Sequence, residues 1–278
     1  MHSYLAPAKI NLFLHITARR ADGYHCLQTI FQFLDYCDVL NFSMRSDGQV
    51  HCHSTMENLP SEQDLTWRAA KLLQQHTHIP LGIDIQVQKK IPIGGGLGGG
   101  SSDAATTLLA LNQLWDLHLP DTELAELGLK LGADVPIFLF GHTAWAEGVG
   151  EKLIAIDVPE TFYLVIHPGC HVSTAEIFSA KDLTRNKQPI IMSSFLEGQS
   201  INVCEPVVCR RYPAVKKALE WLAQYSSARM TGTGSCIFAP FETEIQAQAV
   251  LAKLPKAWSG FVSRSLNKSP ALSSIAKM

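Results

Sequence analysis

Gly94-Gly95-Gly96-Leu97-Gly98-Gly99-Gly100 is the densest glycine run in the chain, and Ser101-Ser102-Asp103 follows it at once. Before it, Ile83-Asp84-Ile85-Gln86-Val87-Gln88 alternates apolar and polar residues, which is the period of a half-buried β-strand. After it, apolar side chains recur at the spacing of one helix face, at Ala104, Leu108, Leu111 and Trp115. We therefore predict a strand, a glycine loop and an amphipathic helix, with a serine as the helix N-cap.

This combination is typical of a phosphate site. Glycine has no side chain, so backbone N–H groups can close around phosphate oxygens. The start of a helix adds unpaired donors and about half a positive charge. A turn that only reverses the chain needs far fewer glycines. We predict that the backbone of Gly94–Ser102 binds the phosphates of a nucleotide.

Three common phosphate-binding signatures do not fit this loop. Gly94-x-Gly96-x-x-Gly99 matches the dinucleotide fingerprint, but a second helix predicted from Asp121 follows where a parallel strand should stand. The loop has no Gly-Lys-Ser/Thr ending, and the protein-kinase motifs HRD and DFG are absent from the sequence. A dinucleotide-dependent oxidoreductase stays open as an alternative, which would bind NAD and show a parallel strand soon after Trp115.

Three motifs together resemble the GHMP small-molecule kinases. Pro92-x-x-x-Gly96-Leu97-Gly98 with Ser101-Ser102 is similar to the second motif of that family. Pro7-Ala8-Lys9-Ile10-Asn11-Leu12 is similar to the first, and Thr231-Gly232-Thr233-Gly234-Ser235-Cys236 to the third, in the family's order. The resemblance covers the chain from about Ala6 to about Pro270.

Two further segments narrow the resemblance to one branch of the family. Arg20-Ala21-Asp22-Gly23-Tyr24-His25 and Gly132-Ala133-Asp134-Val135-Pro136 resemble the branch that uses ATP to phosphorylate the 2-hydroxyl of a cytidine diphosphate-linked methylerythritol, in non-mevalonate isoprenoid precursor biosynthesis. Two alternatives remain. One is another GHMP kinase, of the mevalonate or homoserine type, and the other is a non-catalytic nucleotide-binding module.

The resemblance implies an α/β (α+β) protein with the two-domain GHMP kinase fold. Residues 1–158 would form an N-terminal ATP-binding domain of the type of the second domain of ribosomal protein S5. Residues 159–278 would form a ferredoxin-like C-terminal domain on the substrate side. The polar patch Asp157–Glu160, with Pro159, favours a boundary at this point.

Phosphoryl transfer to an alcohol requires a group that takes the hydroxyl proton and charges that stabilise the transferring group. Asp134, between Gly132 and Pro136, has no evident packing role, and the resemblance makes it the catalytic aspartate. By the same resemblance Lys9 lies beside it, keeps it ionised and lowers the pKa of the substrate hydroxyl. Asn11 shares a strand face with Lys9 and can hold a substrate hydroxyl. From the residues alone, three structural interpretations stay open. Asp134 could be a turn residue, Lys9 a solvated side chain and Asn11 a buried amide bonded to a neighbouring loop.

The resemblance also assigns the binding residues. Tyr24 would stack on the cytosine ring and His25 would hydrogen-bond its edge. In Thr174-Ala175-Glu176-Ile177-Phe178, Thr174 would contact the substrate and Phe178 would cover the second face of the base, so that the pocket closes between the domains. The ATP-binding set is Lys89, Pro92, Ile93, Gly94, Gly95, Gly96, Leu97, Gly98, Gly99, Gly100, Ser101 and Ser102. Mg²⁺ would be held by ATP phosphates and water, so no protein ligand for the metal is predicted.

Two carboxylates depart from the family pattern. Asp64 stands where relatives often carry asparagine near the adenine, so an amide donor is missing. Asp103 occupies a position that can be asparagine in relatives. A carboxylate at a helix N-terminus suits the helix dipole, but beside ATP phosphates it must be paired.

Composition limits the class of protein. Lys and Arg number 23 against 25 Asp and Glu, which argues against a surface built for nucleic acid or anionic membranes. The 7 cysteines are scattered without a CxxC pair, which indicates reduced thiols rather than disulfides or zinc. Pro7, Lys9 and Asn11 interrupt the N-terminal apolar stretch. We expect a cytoplasmic enzyme with a small-molecule substrate and no nucleic acid, membrane or obligate protein partner.

Overall fold

A long antiparallel hairpin of β1 (His2–Arg19) and β2 (His25–Arg45) runs through the molecule. The computed structural model describes residues 2–21, 23–55 and 60–275, and Asp22 lies outside these ranges. The apolar stretches Ile10–Ile16 and Val39–Phe42 are typical of strands in the sequence, and both lie within this hairpin. Its register shifts between Pro7 and Lys9 and again between Asn11 and Leu14. Such shifts change which way the next side chains point, and here they lie on either side of Lys9–Asn11 in the first motif.

In the first half of the chain, helices pack against one face of the sheet that contains this hairpin. The elements are β3 (Val50–Ser54), a short 3-10 helix (Ser61–Gln63), α1 (Leu65–Thr77), β4 (Gly82–Gln88), α2 (Gly99–Leu114), α3 (Asp121–Leu131), α4 (Val135–Phe140), β5 (Ala144–Glu147) and β6 (Lys152–Ala155). The strand β4 pairs antiparallel with β2 and parallel with β3, and β5 pairs with both β2 and β6. The predictions of a strand at Ile83–Gln88 and of a helix from Asp121 are confirmed, and the helical spacing of Trp67–Gln75 in the sequence corresponds to α1.

The elements of the second half are β7 (Phe162–His167), α5 (Thr174–Ser179), α6 (Met192–Leu196), α7 (Glu205–Arg211), α8 (Pro213–Leu222), β8 (Arg229–Met230), β9 (Ile237–Phe241), α9 (Glu244–Leu251), β10 (Ser259–Leu266) and α10 (Pro270–Ile275). The strands form an antiparallel sheet in the order β10-β7-β9-β8. Helices α7 and α8 lie in the connection from β7 to β8, and α9 connects β9 to β10, which is the β-α-β-β-α-β order of a ferredoxin-like fold. Thr243 and Gln246 have the spacing of a capping box in the sequence, and this box is present at α9.

Three apolar cores hold these layers together. The first packs α1 to α4 on β1, β2 and β4, and the second packs α7, α8 and α9 on the ferredoxin-like sheet. The third joins residues of both halves, including Ile10, Trp145 and Phe238. Strand β10 also pairs with β2, at Ser265 opposite Leu34, so the sheet is continuous. The proposed boundary at residue 158 lies between β6 and β7.

The start of α2 differs from the prediction. Gly98 is the N-cap, in the left-handed region at φ 73°, and no side chain of the described residues caps the helix. The prediction of a serine cap is therefore wrong, because the chain turns at Gly98 and Ser101 and Ser102 already lie in the first turn. Within the part of the chain that the structure describes, the first amides of α2 consequently have no side-chain acceptor.

Within the described residues, none of the helices combines the length and the apolar character needed to span a membrane.

Candidate active site

Lys9 and Asp134 meet at the centre of the candidate site. Lys9 comes from β1, and Asp134 precedes α4 at its N-cap position. Lys9 Nζ lies 3.1 Å from Asp134 Oδ2, with the lysine side chain 3% exposed and the aspartate side chain 39% exposed. The ring of Phe31 lies 5.2 Å from the same ammonium. The ammonium is thus held inside the protein, while the carboxylate faces open space.

Asn11 links this pair to the third motif. Lys9 Nζ donates to Asn11 Oδ1 at 2.7 Å, and Asn11 Nδ2 donates to Thr29 Oγ1 at 2.9 Å. The backbone N–H of Asn11 donates to Thr231 Oγ1 at 2.9 Å. These contacts use the Asn11 side chain to orient Lys9, so it is a structural partner of the ammonium as well as a candidate substrate ligand.

The glycine loop is packed against the other two motifs. Lys9 N donates to Leu97 O at 2.9 Å, and Cys236 N donates to Gly95 O at 3.0 Å. A Cβ at Gly98 would lie 2.7 Å from Phe138 Cζ and 3.1 Å from Lys9 Cε. Only glycine therefore fits at this left-handed position, and the loop, the first strand and the third motif form one framework.

Two cavities meet at this loop. The larger, of about 940 Å³, and the smaller, of about 340 Å³, both border Gly94, Gly96 and Ser101. The uncapped amides at the start of α2 and the glycine cradle fit the phosphates of a nucleotide that spans the two cavities. The phosphate tail would then end near Lys9 and Asp134.

The larger cavity brings together the residues that the sequence assigned to catalysis and to the substrate. Its lining includes Lys9, Asn11, Tyr24, His25, Asp134, Thr174 and Phe178. The rings of His25 and Phe178 are stacked, with centroids 5.1 Å apart and an interplanar angle of 23°. Tyr24 is 63% exposed at the cavity. Thr174 Oγ1 lies 2.9 Å from Thr233 Oγ1 of the third motif.

The smaller cavity has a buried charge cluster at its base. Lys89 Nζ binds Asp103 Oδ2 at 2.6 Å and also binds Asp38, whose other oxygen accepts the N–H of Ile91 at 2.9 Å. Burial raises the pKa of Asp103 to about 7, although Lys89 opposes this shift. Among the described residues, Asp103 Oδ1 has no hydrogen-bond partner. Lys89, predicted to bind ATP, borders this cavity, and its ammonium is held by two carboxylates.

Asp64, at the rim of the same cavity, caps α1. Its Oδ1 accepts the N–H of Thr66 at 2.8 Å, and its Oδ2 lies 3.8 Å from Cys52 Sγ. One of its two oxygens therefore has a structural role, which an asparagine could equally perform.

Two residues of the site were not predicted. Asp38 is one of two aspartates in the largely apolar strand β2, and the sequence gives no sign that this one is fully buried. Arg185 contacts His25 from a loop 160 positions away. Neither residue belongs to a periodic pattern or motif, so only the fold brings them to the site.

Within the described ranges, there is no group of three or more histidine, cysteine, aspartate or glutamate side chains that could hold a metal ion.

Comparison with known proteins places this geometry in a family. The GHMP kinases N terminal domain matches residues 64–142, and the GHMP kinases C terminal domain matches residues 181–260. A 4-diphosphocytidyl-2-C-methyl-D-erythritol kinase of Nitrosococcus oceani is 54% identical over 98% of this chain and 97% of its own length. The enzyme of that name from Alkalilimnicola ehrlichii is 58% identical over 93% of this chain and 89% of its own length.

Solved structures show the same fold. A crystal structure of 4-(cytidine 5'-diphospho)-2C-methyl-D-erythritol kinase superposes with a TM-score of 0.83 at 32% identity, over 95% of this chain and 98% of that one. A mevalonate kinase superposes with a TM-score of 0.71 at 16% identity, over 96% of this chain and 100% of that one. At that identity the second likeness concerns the fold alone.

Proposed function

The chain belongs to the GHMP kinase family, and we propose from this that it transfers the γ-phosphate of ATP to the 2-hydroxyl of 4-diphosphocytidyl-2-C-methyl-D-erythritol. The products would be the 2-phosphate and ADP, in non-mevalonate isoprenoid precursor biosynthesis. Relatives that carry the name of this kinase match nearly the whole chain. ATP is therefore the phosphoryl donor, and the acceptor is a small molecule.

One structural observation carries the choice of substrate. A single cavity runs from the Lys9–Asp134 pair to the aromatic side chains of Tyr24 and Phe178. A substrate with an alcohol at one end and a flat base at the other would fill it. A base between aromatic faces gains about 1–3 kcal/mol from stacking. Mevalonate and homoserine have no base, so they would leave this part of the cavity unused.

Asp134 and Lys9 have separate roles in the phosphoryl transfer. The substrate hydroxyl gives its proton to the partly exposed carboxylate of Asp134 as its oxygen attacks the γ-phosphate. The ammonium of Lys9, 3.1 Å from that carboxylate, stabilises the negative charge that develops on the attacking oxygen. Asn11 holds the ammonium in place at 2.7 Å. The pair thus supplies a proton acceptor and a fixed positive charge at one point.

The glycine loop positions the phosphates. The first amides of α2 have no side-chain cap among the described residues, and Ser101 borders both cavities. We assign these donors to the phosphate oxygens. When bound with ATP, Mg²⁺ neutralises phosphate charge. We propose that oxygen atoms of the phosphates and of water supply most of the metal ligands. We also place the enzyme in the cytoplasm, where ATP is available and free thiols persist.

The test is an ATP-consumption assay with the cytidine-linked substrate, mevalonate and homoserine side by side. We expect turnover with the first only. Tyr24→Ala should raise the KM for that substrate at least about tenfold, because one stacking face is lost. Turnover with mevalonate or homoserine instead would favour another GHMP kinase activity. ATP binding without turnover of any substrate would favour a non-catalytic module.

A further inference from the structure

Thr29 is a fully buried residue of β2 that lines neither of the two cavities, and its hydroxyl contacts the side chain of Asn11. We propose that Thr29 is a positioning residue for phosphoryl transfer, because its hydroxyl sets the orientation of the Asn11 amide and through it the position of the catalytic ammonium. This inference rests on the proposed function, since it concerns the lysine and aspartate to which that function assigns the chemistry.

A bulge in β1 brings the groups of this contact together. Asn11 pairs with Phe31 and Leu14 pairs with Thr29, so β1 has one extra residue between these two pairs. A bulge of this kind interrupts the ladder of backbone hydrogen bonds. Phe13 lies in the bulge, and its carbonyl oxygen accepts the hydroxyl of Thr29. The irregular stretch of the strand thus supplies an acceptor for the threonine proton.

The single hydroxyl proton of Thr29 determines the direction of its bond to Asn11. The hydroxyl lies close to Phe13 O, which can only accept. If the proton pointed to the amide instead, two oxygen acceptors would face each other without a proton between them. In the 2.9 Å contact with Asn11, the amide nitrogen must therefore donate to the threonine oxygen. Thr29 thus selects one of the two orientations that an asparagine amide can adopt.

The selected orientation places the amide oxygen at the ammonium. Lys9 Nζ donates to Asn11 Oδ1 at 2.7 Å and lies 3.1 Å from Asp134 Oδ2. In the opposite orientation the amide nitrogen would face the ammonium, donor against donor, and a buried charge would lose a partner. An ammonium has three N–H groups, so with two directed at Asn11 and Asp134 the third remains for the reacting oxygens.

The backbone of Asn11 is held independently of its side chain. Its N–H group donates to Thr231 Oγ1 at 2.9 Å, and Thr231 Oγ1 lies 3.4 Å from Gly96 O. Loss of the Thr29 hydroxyl should therefore leave the strand in place and free only the amide. Because Thr29 lies outside both cavities, this loss should change kcat rather than the binding of either substrate.

The first experiment replaces Thr29 by valine, which has the same shape without the hydroxyl, and by serine, which keeps it. With ATP and the cytidine-linked substrate, we expect Thr29→Val to lower kcat at least about tenfold, because a buried amide donor loses its partner beside the ammonium. Both KM values should change less than about twofold. Thr29→Ser should retain at least about a third of the wild-type kcat. A smaller loss in Thr29→Val, or an equal loss in Thr29→Ser, would overturn the proposal.

Thr143→Val is the matched control. Thr143 is also fully buried, and its hydroxyl donates to Leu266 O at 3.0 Å. Among the described residues, its hydrogen bonds reach neither Lys9 nor Asn11. Both valine variants should have a lower melting temperature, but Thr143→Val should keep kcat within about twofold of the wild type. Equal losses of kcat in the two variants would mean that general stability is responsible, which contradicts the proposal.

A double-mutant cycle shows whether Thr29 acts through Asn11. Asn11→Ala removes the amide that Thr29 orients, so adding Thr29→Val to it should change kcat less than about twofold further. If the second substitution cost as much in this background as in the wild type, the threonine would act independently of the amide and the proposal would be wrong.

The last measurement needs no substrate. In protein labelled with ¹⁵N at asparagine, the side-chain NH₂ signals of Asn11 are assigned by their loss in Asn11→Ala. We expect nuclear Overhauser contacts from these protons to the methyl group of Thr29. Contacts to the side-chain methylene protons of Lys9 instead would overturn the proposal even if the substrate assignment held. A wild type that does not phosphorylate the cytidine-linked compound would refute the proposed function, and these signals would still decide whether Thr29 orients the amide.

Discussion

At the scale of single residues, the site depends on an unequal burial of two opposite charges. Lys9 is almost fully buried, and a buried ammonium is costly unless it is paired. Asn11 and Asp134 provide that pairing, and the face of Phe31 adds a cation–π contact. Asp134 keeps part of its carboxylate exposed. The lysine can therefore be rigid while the aspartate remains within reach of a substrate.

Asp134→Asn tests this division. The amide has the same shape and can still accept from Lys9, but it cannot take a proton at neutral pH. We expect turnover to fall by about a hundredfold to ten-thousandfold while the affinity for ATP changes less than about twofold. Steady-state kinetics and calorimetric titration with ATP measure the two effects. Asp116→Asn, at an exposed turn, is the control, and near-normal turnover of the Asp134 variant would exclude Asp134 as the base.

Asp103 predicts an unusual dependence of stability on pH. Burial raises its pKa from 3.8 to about 7 in the folded protein. The folded state therefore holds this proton between pH 4 and 7, while the unfolded state has released it. Its contribution to stability is fully present only below about pH 3.8 and is lost as the pH rises to about 7, with a slope of at most about 1.4 kcal/mol per pH unit.

The measurement is the free energy of unfolding in urea, for the wild type and Asp103→Asn, between pH 4 and 8. The asparagine has no proton to release. The free energy of unfolding of the variant minus that of the wild type should therefore increase as the pH rises. Cys52, Asp64, Asp38 and Lys89 also face this carboxyl, and they are the same in both proteins. A pH-independent difference would mean that Asp103 is ionised throughout this range.

At the scale of elements, close packing against other segments determines the conformation of the glycine loop. Gly96 would place a Cβ 2.5 Å from Thr231 O, and Gly98 would place one 2.7 Å from Phe138 Cζ. These contacts are with the backbone of the third motif and with a side chain of α4. The glycines therefore allow close packing around the site as well as access for phosphate.

Gly98→Ala is expected to damage both functions of the loop. The residue has φ +73°, which disfavours a side chain by about 1–2 kcal/mol, and the new methyl group would also press on Lys9 Cε at 3.1 Å. We expect a lower melting temperature, a KM for ATP raised at least about tenfold and a reduced kcat. Gly100→Ala is the matched control, because its Cβ would meet only Leu65 Cδ1, at an ordinary 3.5 Å. Equal effects of both substitutions would refute this account.

Strongly periodic elements could be predicted from the sequence, whereas contacts between distant loops could not. The strand β4 and the helices α1, α3, α8 and α9 have regular apolar spacing or a capping box, and the structure contains them. The full length of β1 and β2 was not apparent, since register shifts interrupt the alternation. Gly98 at the N-cap was missed because serine is the commoner cap. Lys9 and Asp134, which the structure brings together, stand in motifs, whereas Asp38 and Arg185 belong to none.

At the scale of the whole molecule, the larger cavity has walls from both halves of the chain. Tyr24 follows β1 of the hairpin, whereas Thr174 and Phe178 lie on α5, beside the second core. The third core and the pairing of β10 with β2 connect the halves directly. A ligand in this cavity therefore adds contacts across a junction that already has its own packing.

Binding of the cytidine-linked substrate should consequently stabilise the molecule as a unit. At a hundred times its dissociation constant, the ligand adds about 2.7 kcal/mol, which corresponds to a rise of about 5–10 °C in melting temperature. Tyr24→Ala and Phe178→Ala should each reduce this rise at a fixed ligand concentration, although the two residues belong to different halves. Tyr225→Ala, which removes an exposed ring packed on Trp221 outside the cavity, should lower the starting temperature and leave the rise unchanged. If the ligand still raised the melting temperature fully in Phe178→Ala but not in Tyr24→Ala, the base would contact the first half alone. The ligand would then stabilise one half of the molecule rather than the junction.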